Sequence, residues 1–259
     1  IGGIGMSGLA LIMKAKGFKI QGSDIAINKN IEKLKKNNVK IFIGHKKQNI
    51  KDVTIVVISS AIKRNNPELI EAQRKKLPII KRGKMLANLV SLMKNIVVVG
   101  SHGKTTTTSL VSSIFEKTKL DPTIINGGII NSIKGTAKLG KSDWSILEAD
   151  ESDASFLFLQ PVLAVVTNID SDHMATYGHN FANLENAFYE LIQRLPFYGV
   201  AVLCGDDPAI SKLIPKINKP YITYGFNQKC DFQAFNIKEI GTTNICSRAY
   251  KCSFNKYLG

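Results

Sequence analysis

The sequence predicts an α/β protein in two parts, a Rossmann-like parallel-sheet domain followed by a P-loop ATPase α/β domain. Short apolar runs alternate with amphipathic stretches, a glycine-rich turn stands near the beginning of each part, and the charge balance changes near residue 94. Strands that alternate with helices are typical of βαβ units and a parallel sheet. We therefore predict domains at residues 1–94 and 95–259.

The first part alternates strands and helices. Apolar runs predict strands at residues 18–23, 39–43, 54–59 and 78–80, and apolar spacing at i, i+3 and i+4 predicts helices at 5–16, 30–37, 67–76 and 84–93. Asn66 before Pro67, with Glu68 in the first turn, is a typical helix start.

A buried strand at residues 96–99 opens the second part. Helices are predicted at 105–117 and 183–194, strands at 123–126, 144–148, 162–168 and 200–203, and a β-rich tail from Asp231. Both ends of the chain look cut, and the tail stops without a closing element, so we expect part of a longer protein.

Composition excludes several classes of protein. The 259 residues are 44% hydrophobic, which excludes disorder and collagen-like repeats. No apolar run approaches the roughly 18 residues of a membrane span, and no leader-like segment opens the chain. The four cysteines lack CxxC spacing, so we expect free thiols and a cytoplasmic location without membrane contact.

The net charge of +15 lies entirely in residues 1–94, which hold 20 basic and five acidic residues. A basic domain could bind nucleic acid. No RNP-like aromatic motif or recognition helix accompanies these lysines, so we favour a solvated lysine surface and expect no nucleic-acid partner.

A phosphate-binding loop is predicted where the strand at 96–99 meets the following helix. Its residues are Gly100, Ser101, His102, Gly103, Lys104, Thr105 and Thr106. Glycines let backbone N–H groups converge on phosphate oxygens, Lys104 would neutralise β/γ-phosphate charge, and a threonine hydroxyl would bind Mg²⁺. The spacing is GxxGK[ST], two residues shorter than the P-loop pattern.

A second glycine pattern opens the chain. Gly3, Gly5 and Gly8 fit G-x-G-x-x-G, and Asp24 ends the next predicted strand, where a ribose-binding carboxylate would lie. A plain tight turn fits the same residues, and a dinucleotide is only one of the ligands that such a turn accepts.

Acidic residues follow two later strands. Residues 148–153 (EADESD) come after the strand at 144–148, and residues 168–173 (NIDSDH) end on His173. Carboxylates at the carboxyl ends of parallel strands, beside a phosphate loop, are placed to hold Mg²⁺, although a solvated acidic loop is the alternative. The isolated histidines, His45 and His179, are predicted as surface residues.

In this order the motifs GIGMSG, GSHGKTTTTS, EADESDASFL and NIDSDHM resemble the Mur ligases of peptidoglycan synthesis, and among them the alanine-adding branch. The resemblance covers the N-terminal UDP-substrate domain and most of the central ATPase domain, which implies that the C-terminal domain of the family is absent from this sequence. It implies an ATP-dependent carboxylate–amine ligase that joins L-alanine to UDP-N-acetylmuramate through an acyl phosphate, with ATP and Mg²⁺ as cofactors.

The same resemblance implies roles for individual residues. Lys104 would contact the β/γ-phosphates, Thr105 and Glu148 would bind one Mg²⁺, and His173 would bind a second. Lys104, Glu148 and His173 are thus the predicted catalytic residues. Sugar-nucleotide binding is expected from Gly3, Gly5, Ser7 and Asp24.

Two further positions bear on the resemblance. Several Mur ligases carry a modified lysine on the helix after the metal histidine, and residues 183–194 contain no lysine, which favours the alanine-adding branch. Where the family usually has an aspartate after DHM, this chain has Ala175.

Other functions stay open at this point. A ligase that attaches recycled murein peptide to the same sugar nucleotide is the alternative within the family. A basic nucleotide-binding module without ligase activity, or a nucleic-acid ATPase, is the alternative outside it.

Overall fold

A computed structural model describes residues 1–130, 135–240 and 243–249. The helices are α1 (Ile4–Ala15), α2 (Lys29–Lys36), α3 (Pro67–Arg74), α4 (Arg82–Val90), α5 (Lys104–Glu116), α6 (Phe181–Gln193) and α7 (Pro208–Leu213). The strands are β1 (Gln21–Asp24), β2 (Lys40–Ile43), β3 (Val56–Ile58), β4 (Ile79–Lys81), β5 (Lys94–Val99), β6 (Thr123–Ile130), β7 (Gly135–Lys138), β8 (Trp144–Glu148), β9 (Pro161–Val166), β10 (Val200–Cys204), β11 (Tyr221–Gly225), β12 (Phe232–Ile240) and β13 (Thr243–Ala249).

These elements form two compact units. The first comprises Ile1–Lys94 and Thr108–Glu148, and the second comprises Asn95–Thr107 and Ala149–Gly259. In the described parts of the chain, none of the helices is long and apolar enough to cross a membrane.

Parallel strand pairs, as predicted, organise the beginning of the first unit. β1 pairs with β2, and β3 pairs with β4, but the two pairs form separate two-stranded sheets instead of one. In the later part of this unit, β6 is parallel to β8 and antiparallel to β7. A small core of Ala10, Ile31, Leu34 and Val39 packs α1 and α2 together.

Helix starts in the first unit follow local chemistry. Asn66 Oδ1 accepts the N–H groups of Glu68 and Leu69 at 2.9 and 3.3 Å, and Pro67 opens α3, as predicted. α4 begins earlier than predicted, directly after β4, with Lys81 as its N-cap. The structure adds β7, α7 and β11, which the sequence patterns did not indicate.

The second unit is built on a mostly parallel sheet. Within it the strand order is β5, β9, β10, β11, β12 and β13, parallel until β13 pairs antiparallel with β12. All four residues of Ile96–Val99 in β5 are buried. A strand with both faces buried needs apolar residues at every position, which explains the continuous apolar run in the sequence. α6 starts at the Asn180 N-cap and turns one apolar face inward, with Leu184, Ala187, Phe188, Leu191 and Ile192 buried.

Candidate active site

The loop between β5 and α5 has a backbone that requires glycine. Gly100 has φ of 144°, and a Cβ there would lie 2.0 Å from Thr167 Oγ1. Gly103 has φ of 77° with open space around it. α5 begins at Lys104, so the loop leads into a helix first turn, where backbone N–H groups lack an intrahelical acceptor.

The segment after β9 fixes this loop. His102 N–H donates to Asn168 Oδ1 (2.8 Å), and Asn168 Nδ2 donates back to His102 O (3.0 Å). Thr167 Oγ1 also donates to His102 O (2.7 Å), and Asp170 N–H donates to Ser101 Oγ (2.8 Å). The loop is therefore held in one conformation by the end of the neighbouring strand, a condition for a preorganised anion site.

The exposed side chain of His102 in this loop lies close to two carboxylates. His102 Nε2 is 3.2 Å from Asp170 Oδ2 and 3.5 Å from Asp172 Oδ2. The Ser171 N–H hydrogen bond, together with His102, holds the pKa of the Asp170 carboxyl below its ordinary value. Asp170 is thus an anion at neutral pH, close to the loop.

Lys104 is turned back onto its own loop. Its Nζ donates to Gly100 O (2.6 Å), Ser101 O (3.0 Å) and Glu151 Oε1 (3.0 Å), and it lies 2.8 Å from Glu151 Oε2. Glu151 is 1% exposed. Sequence patterns indicated an acidic stretch at 148–153 but not which of its carboxylates meets the lysine.

A 3-10 turn at Met174–Tyr177 carries the chain past this acidic segment. Tyr177, which is buried, donates its hydroxyl to Glu151 O (2.5 Å), and Thr176 Oγ1 donates to Ser152 O. Burial, with the charges of Glu151, Asp153 and Asp150, raises the pKa of the Tyr177 hydroxyl above its ordinary value. This hydroxyl therefore stays protonated as a donor.

His173 precedes that turn, exposed and in a left-handed backbone conformation (φ 53°). The exposed Ala175 lies within the turn. His179 is also exposed, as predicted.

Glu148 ends β8 in the first unit and is held by a glycine. Gly127 N–H donates to Glu148 Oε2 at 2.5 Å, and a Cβ at position 127 would lie 2.6 Å from Glu148 Oε1. A side chain at Gly127 would thus displace the carboxylate. The predicted loop residues Thr105 and Thr106 lie in the first turn of α5, Thr105 half-buried and Thr106 exposed.

The glycine pattern at the beginning of the first unit forms a helix start. Gly3 is the N-cap of α1, and Gly5 lies within it, facing Arg82 (3.0 Å from an added Cβ to Nη1). Ser7 is buried, and its hydroxyl donates to Ile4 O (3.0 Å).

Asp24 lies at the end of β1, close to that helix start. Its Oδ2 accepts Gly2 N–H at 2.7 Å. Partial burial raises the pKa of the Asp24 carboxyl, whereas the Gly2 hydrogen bond lowers it.

A polar network that the sequence did not indicate surrounds His45. Ser23 Oγ is 3.0 Å from His45 Nδ1 and donates to Glu68 Oε2 (2.6 Å), and Asn49 Nδ2 donates to Glu68 Oε1 (2.6 Å). His45 is half-buried, with its side chain 21% exposed, and its Nδ1 lies 3.3 Å from Glu68 Oε2, a neighbour that the prediction of an isolated surface histidine did not include. No sequence pattern indicated the network, because Ser23, His45 and Glu68 lie in separate segments of the chain.

Residues 1–94 match the family model of the "Mur ligase family, catalytic domain", and residues 98–255 match that of the "Mur ligase middle domain". The chain belongs to the Mur ligase family. The middle domain of this family binds ATP, which agrees with the position of the Gly100–Thr106 loop. The predicted division near residue 94 stays a prediction.

Curated relatives of this Mur ligase are UDP-N-acetylmuramate–L-alanine ligases. The one from Pelagibacter ubique (strain HTCC1062) is 62% identical over 240 residues, covering 92% of this chain and 52% of the relative. The one from Dechloromonas aromatica (strain RCB) is 50% identical, covering 92% and 51%. The chain therefore spans about half the length of these relatives.

Solved structures agree with the fold. The UDP-N-acetylmuramate–alanine ligase of Thermotoga maritima superposes with a TM-score of 0.82 at 27% identity, covering 92% of this chain and 54% of that one. A UDP-N-acetylmuramate:L-alanyl-γ-D-glutamyl-meso-diaminopimelate ligase from Neisseria meningitides gives 0.84 at 25% identity, covering 92% and 79%. The predicted α/β fold with parallel sheets is confirmed.

Thr105, Glu148 and His173 stay predictions as Mg²⁺ ligands. Within the described residues, no group of three or more His, Cys, Asp or Glu side chains is arranged to hold a metal ion. Mg²⁺ typically takes one or two carboxylates and completes its shell with phosphate oxygens and water. The hydroxyl of Thr105 and the carboxylate of Glu148 are each hard oxygen donors of this kind, so the chemistry of each side chain is compatible with the ion.

The described cysteine side chains, Cys204 and Cys230, are free thiols, as predicted. Burial raises the pKa of the Cys230 thiol. Cys252 and the end of the predicted β-rich tail lie outside the described residues.

Proposed function

We propose that the protein to which this chain belongs joins L-alanine to the carboxylate of UDP-N-acetylmuramate, with ATP supplying an acyl phosphate intermediate. The observation that carries the proposal is the 62% identity, over 92% of the chain, with a UDP-N-acetylmuramate–L-alanine ligase. The carboxylate attacks the γ-phosphorus of ATP and releases ADP. The alanine amine then attacks the acyl carbon, and inorganic phosphate leaves as the amide forms.

The glycine loop supports the ATP role. Both reactants are anions, so the barrier falls mainly by positioning them and compensating their charge. Gly100, Ser101, His102 and Gly103 would surround the phosphates with the first turn of α5, which also carries Thr106. Lys104 would supply the positive charge next to the transferred phosphoryl group.

Mg²⁺ binding is a further part of the proposal. Thr105 and Glu148 would hold one ion, and His173 would hold a second. The bound ions would neutralise charge on the phosphate oxygens. Gly127 N–H donates a hydrogen bond to the Glu148 carboxylate. This bond orients the carboxylate as a ligand before any metal binds.

The sugar nucleotide is assigned to the domain at residues 1–94, and ATP to the domain at 95–259. Gly3 and Gly5 at the start of α1, with Arg82 beside Gly5, offer N–H groups and a positive charge to a diphosphate. Asp24 would accept ribose hydroxyls. Ser7 is assigned to the same ligand through its place in the motif. Location in the cytoplasm stays a prediction.

A second candidate acts on the same sugar nucleotide. The TM-score of 0.84 with the Neisseria meningitides tripeptide ligase, of which the chain covers 79%, favours it. Identity with that protein is 25%, against 62% with the alanine-adding relative. We therefore place L-alanine first as the amine substrate.

Phosphate release tests the function in the protein that contains this chain. With ATP, Mg²⁺ and UDP-N-acetylmuramate present, L-alanine should stimulate release, whereas L-alanyl-γ-D-glutamyl-meso-diaminopimelate should not. Lys104→Ala should lower the rate by about a hundredfold or more, because a charge beside the transferred group is lost. Lys117→Ala, which removes an exposed charge just beyond α5, is the matched control.

Each arm of this assay can contradict the proposal. Stimulation by the tripeptide alone would select the second candidate. Near-normal release in Lys104→Ala would refute the role of the lysine. If the protein does not bind UDP-N-acetylmuramate but binds an oligonucleotide tightly and in a salt-dependent way, the proposed ligase function is wrong.

A further inference from the structure

The Lys104 ammonium group has its hydrogen-bonding capacity filled by the protein. An ammonium group has three N–H donors. In the described parts of the chain, Nζ contacts Gly100 O, Ser101 O and the Glu151 carboxylate, at 2.6 to 3.0 Å. A nucleotide phosphate can therefore reach this ammonium only by replacing one of these partners or sharing it.

Glu151 is a different partner from the two carbonyls. Its side chain is 2% exposed, and that of Lys104 is 15% exposed. Glu151 Oε2 lies 2.8 Å from Nζ but has no hydrogen bond of good geometry. A carboxylate desolvated to this degree depends on its counter-ion, because a buried charge without compensation is strongly unfavourable.

The backbone around Glu151 is fixed from outside the acidic loop. Tyr177 donates its hydroxyl to Glu151 O, and Thr176 does the same to Ser152 O. Ala149 N–H donates to Val98 O at 3.0 Å, which ties the beginning of the segment to β5. The carboxylate therefore cannot easily follow the lysine if the lysine moves towards a ligand.

We propose that Glu151 is the resting counter-ion of Lys104 and competes with the nucleotide phosphates for its ammonium group. The proposal rests on the function proposed above, in which Lys104 contacts those phosphates. Glu151 is a positioning residue: it keeps the ammonium at the loop while no nucleotide is bound, at the expense of nucleotide affinity.

The Glu151→Gln variant tests the competition. Gln has nearly the same shape, and the main-chain carbonyl of residue 151 still accepts the Tyr177 hydroxyl. Removing the negative charge that holds the Lys104 ammonium should tighten ADP binding about tenfold, measured by calorimetry without divalent cations. Adenosine, which has no phosphate, should show no such change.

Asp153→Asn is the matched control. Asp153 is exposed in the same loop, and its Oδ1 accepts Ser155 N–H at 2.9 Å, a bond that Asn can keep. ADP affinity should change less than twofold. Equal tightening in both variants would mean that general loop charge is responsible, and weaker ADP binding in Glu151→Gln would mean that Glu151 orients the lysine for phosphate. Either result overturns the competition.

A double-mutant cycle separates this proposal from the proposed function. Unfolding of wild type, Lys104→Met, Glu151→Gln and the double variant, without nucleotide, should show a favourable coupling between the two side chains. ADP affinity should fall in Lys104→Met. Coupling with an unchanged ADP affinity in Lys104→Met would refute the phosphate role of Lys104, whereas no coupling would refute the resting pair itself.

If Glu151→Gln does not fold, Glu151→Asp replaces it. The shorter carboxylate keeps the charge but withdraws from Nζ. ADP binding should tighten by a smaller factor, about two- to threefold. Unchanged or weaker binding in a folded Glu151→Asp variant would overturn the proposal.

Discussion

Single residues at the phosphate loop are constrained for different physical reasons. Gly100 must be glycine because a Cβ would overlap Thr167 Oγ1 and approach the backbone of Asn168 at 3.0 Å. Gly103 needs glycine only for its positive φ, since nothing lies within 4 Å of an added Cβ. The sequence motif shows two glycines and cannot tell these cases apart.

Alanine at the two positions should separate them. Gly100→Ala should lower the free energy of unfolding by about 3 kcal/mol or more, because backbone atoms must shift. Gly103→Ala should cost about 1–2 kcal/mol, the strain of a left-handed alanine. Urea unfolding followed by circular dichroism measures both. Equal losses would show that the approach to Thr167 and Asn168 is not the constraint.

At the scale of elements, local chemistry was predictable and long-range contacts were not. The start of α3 was correct because Asn66, Pro67 and Glu68 are neighbours in sequence. The strand β7 was missed, because it has four residues, begins with Gly135 and pairs antiparallel with β6.

Candidate site residues divide in the same way. The motifs predicted Lys104, Glu148 and His173 as candidates. They placed Glu151 and Asn168 within polar stretches without indicating their partners, and they did not indicate Tyr177. These contacts depend on the folding that brings distant segments of the chain together. The sequence of an acidic run does not show which lysine each of its carboxylates contacts.

The helix α3 also carries a pH-dependent ion pair. Arg74 donates to Glu71 from Nε and Nη2, both at 2.8 Å. This hydrogen bond, with smaller contributions from Lys75 and Lys47, lowers the pKa of Glu71 to about 2. A depressed carboxyl pKa contributes stability above the unfolded value, and that contribution is lost as the pH falls towards about 2.

Arg74→Gln should return the Glu71 pKa towards its ordinary value. In an NMR titration, the wild-type Glu71 carboxylate should remain ionised at pH 3, whereas that of the variant should be largely protonated there. Lys75→Gln, which removes a weaker interaction at 3.7 Å, should shift the pKa much less. A wild-type titration midpoint of about 4.3 would contradict the pair.

At the scale of the whole molecule, the charge is divided along the chain. Residues 1–94 carry the entire excess of +15, and the remaining residues are neutral. Some of these basic side chains line a pocket of the first unit together with Glu71. They are Lys47, Lys51, Arg74 and Lys75. A nucleic-acid binder and a lysine-rich surface both fit this distribution, but they differ in salt dependence.

The Lys47→Gln/Lys51→Gln double variant should decide between them. On the proposed function, UDP-N-acetylmuramate affinity should stay within twofold of wild type, because these lysines are not among the residues assigned to it. Single-stranded oligonucleotide binding should be weak in wild type, fall further in the variant and vanish by about 200 mM salt, as nonspecific phosphate contacts do. Lys212→Gln/Lys216→Gln, two exposed positions of the second unit, is the matched control and should leave both ligands unaffected. Oligonucleotide binding that persists at that salt concentration and is lost in the double variant would make the basic pocket a nucleic-acid site.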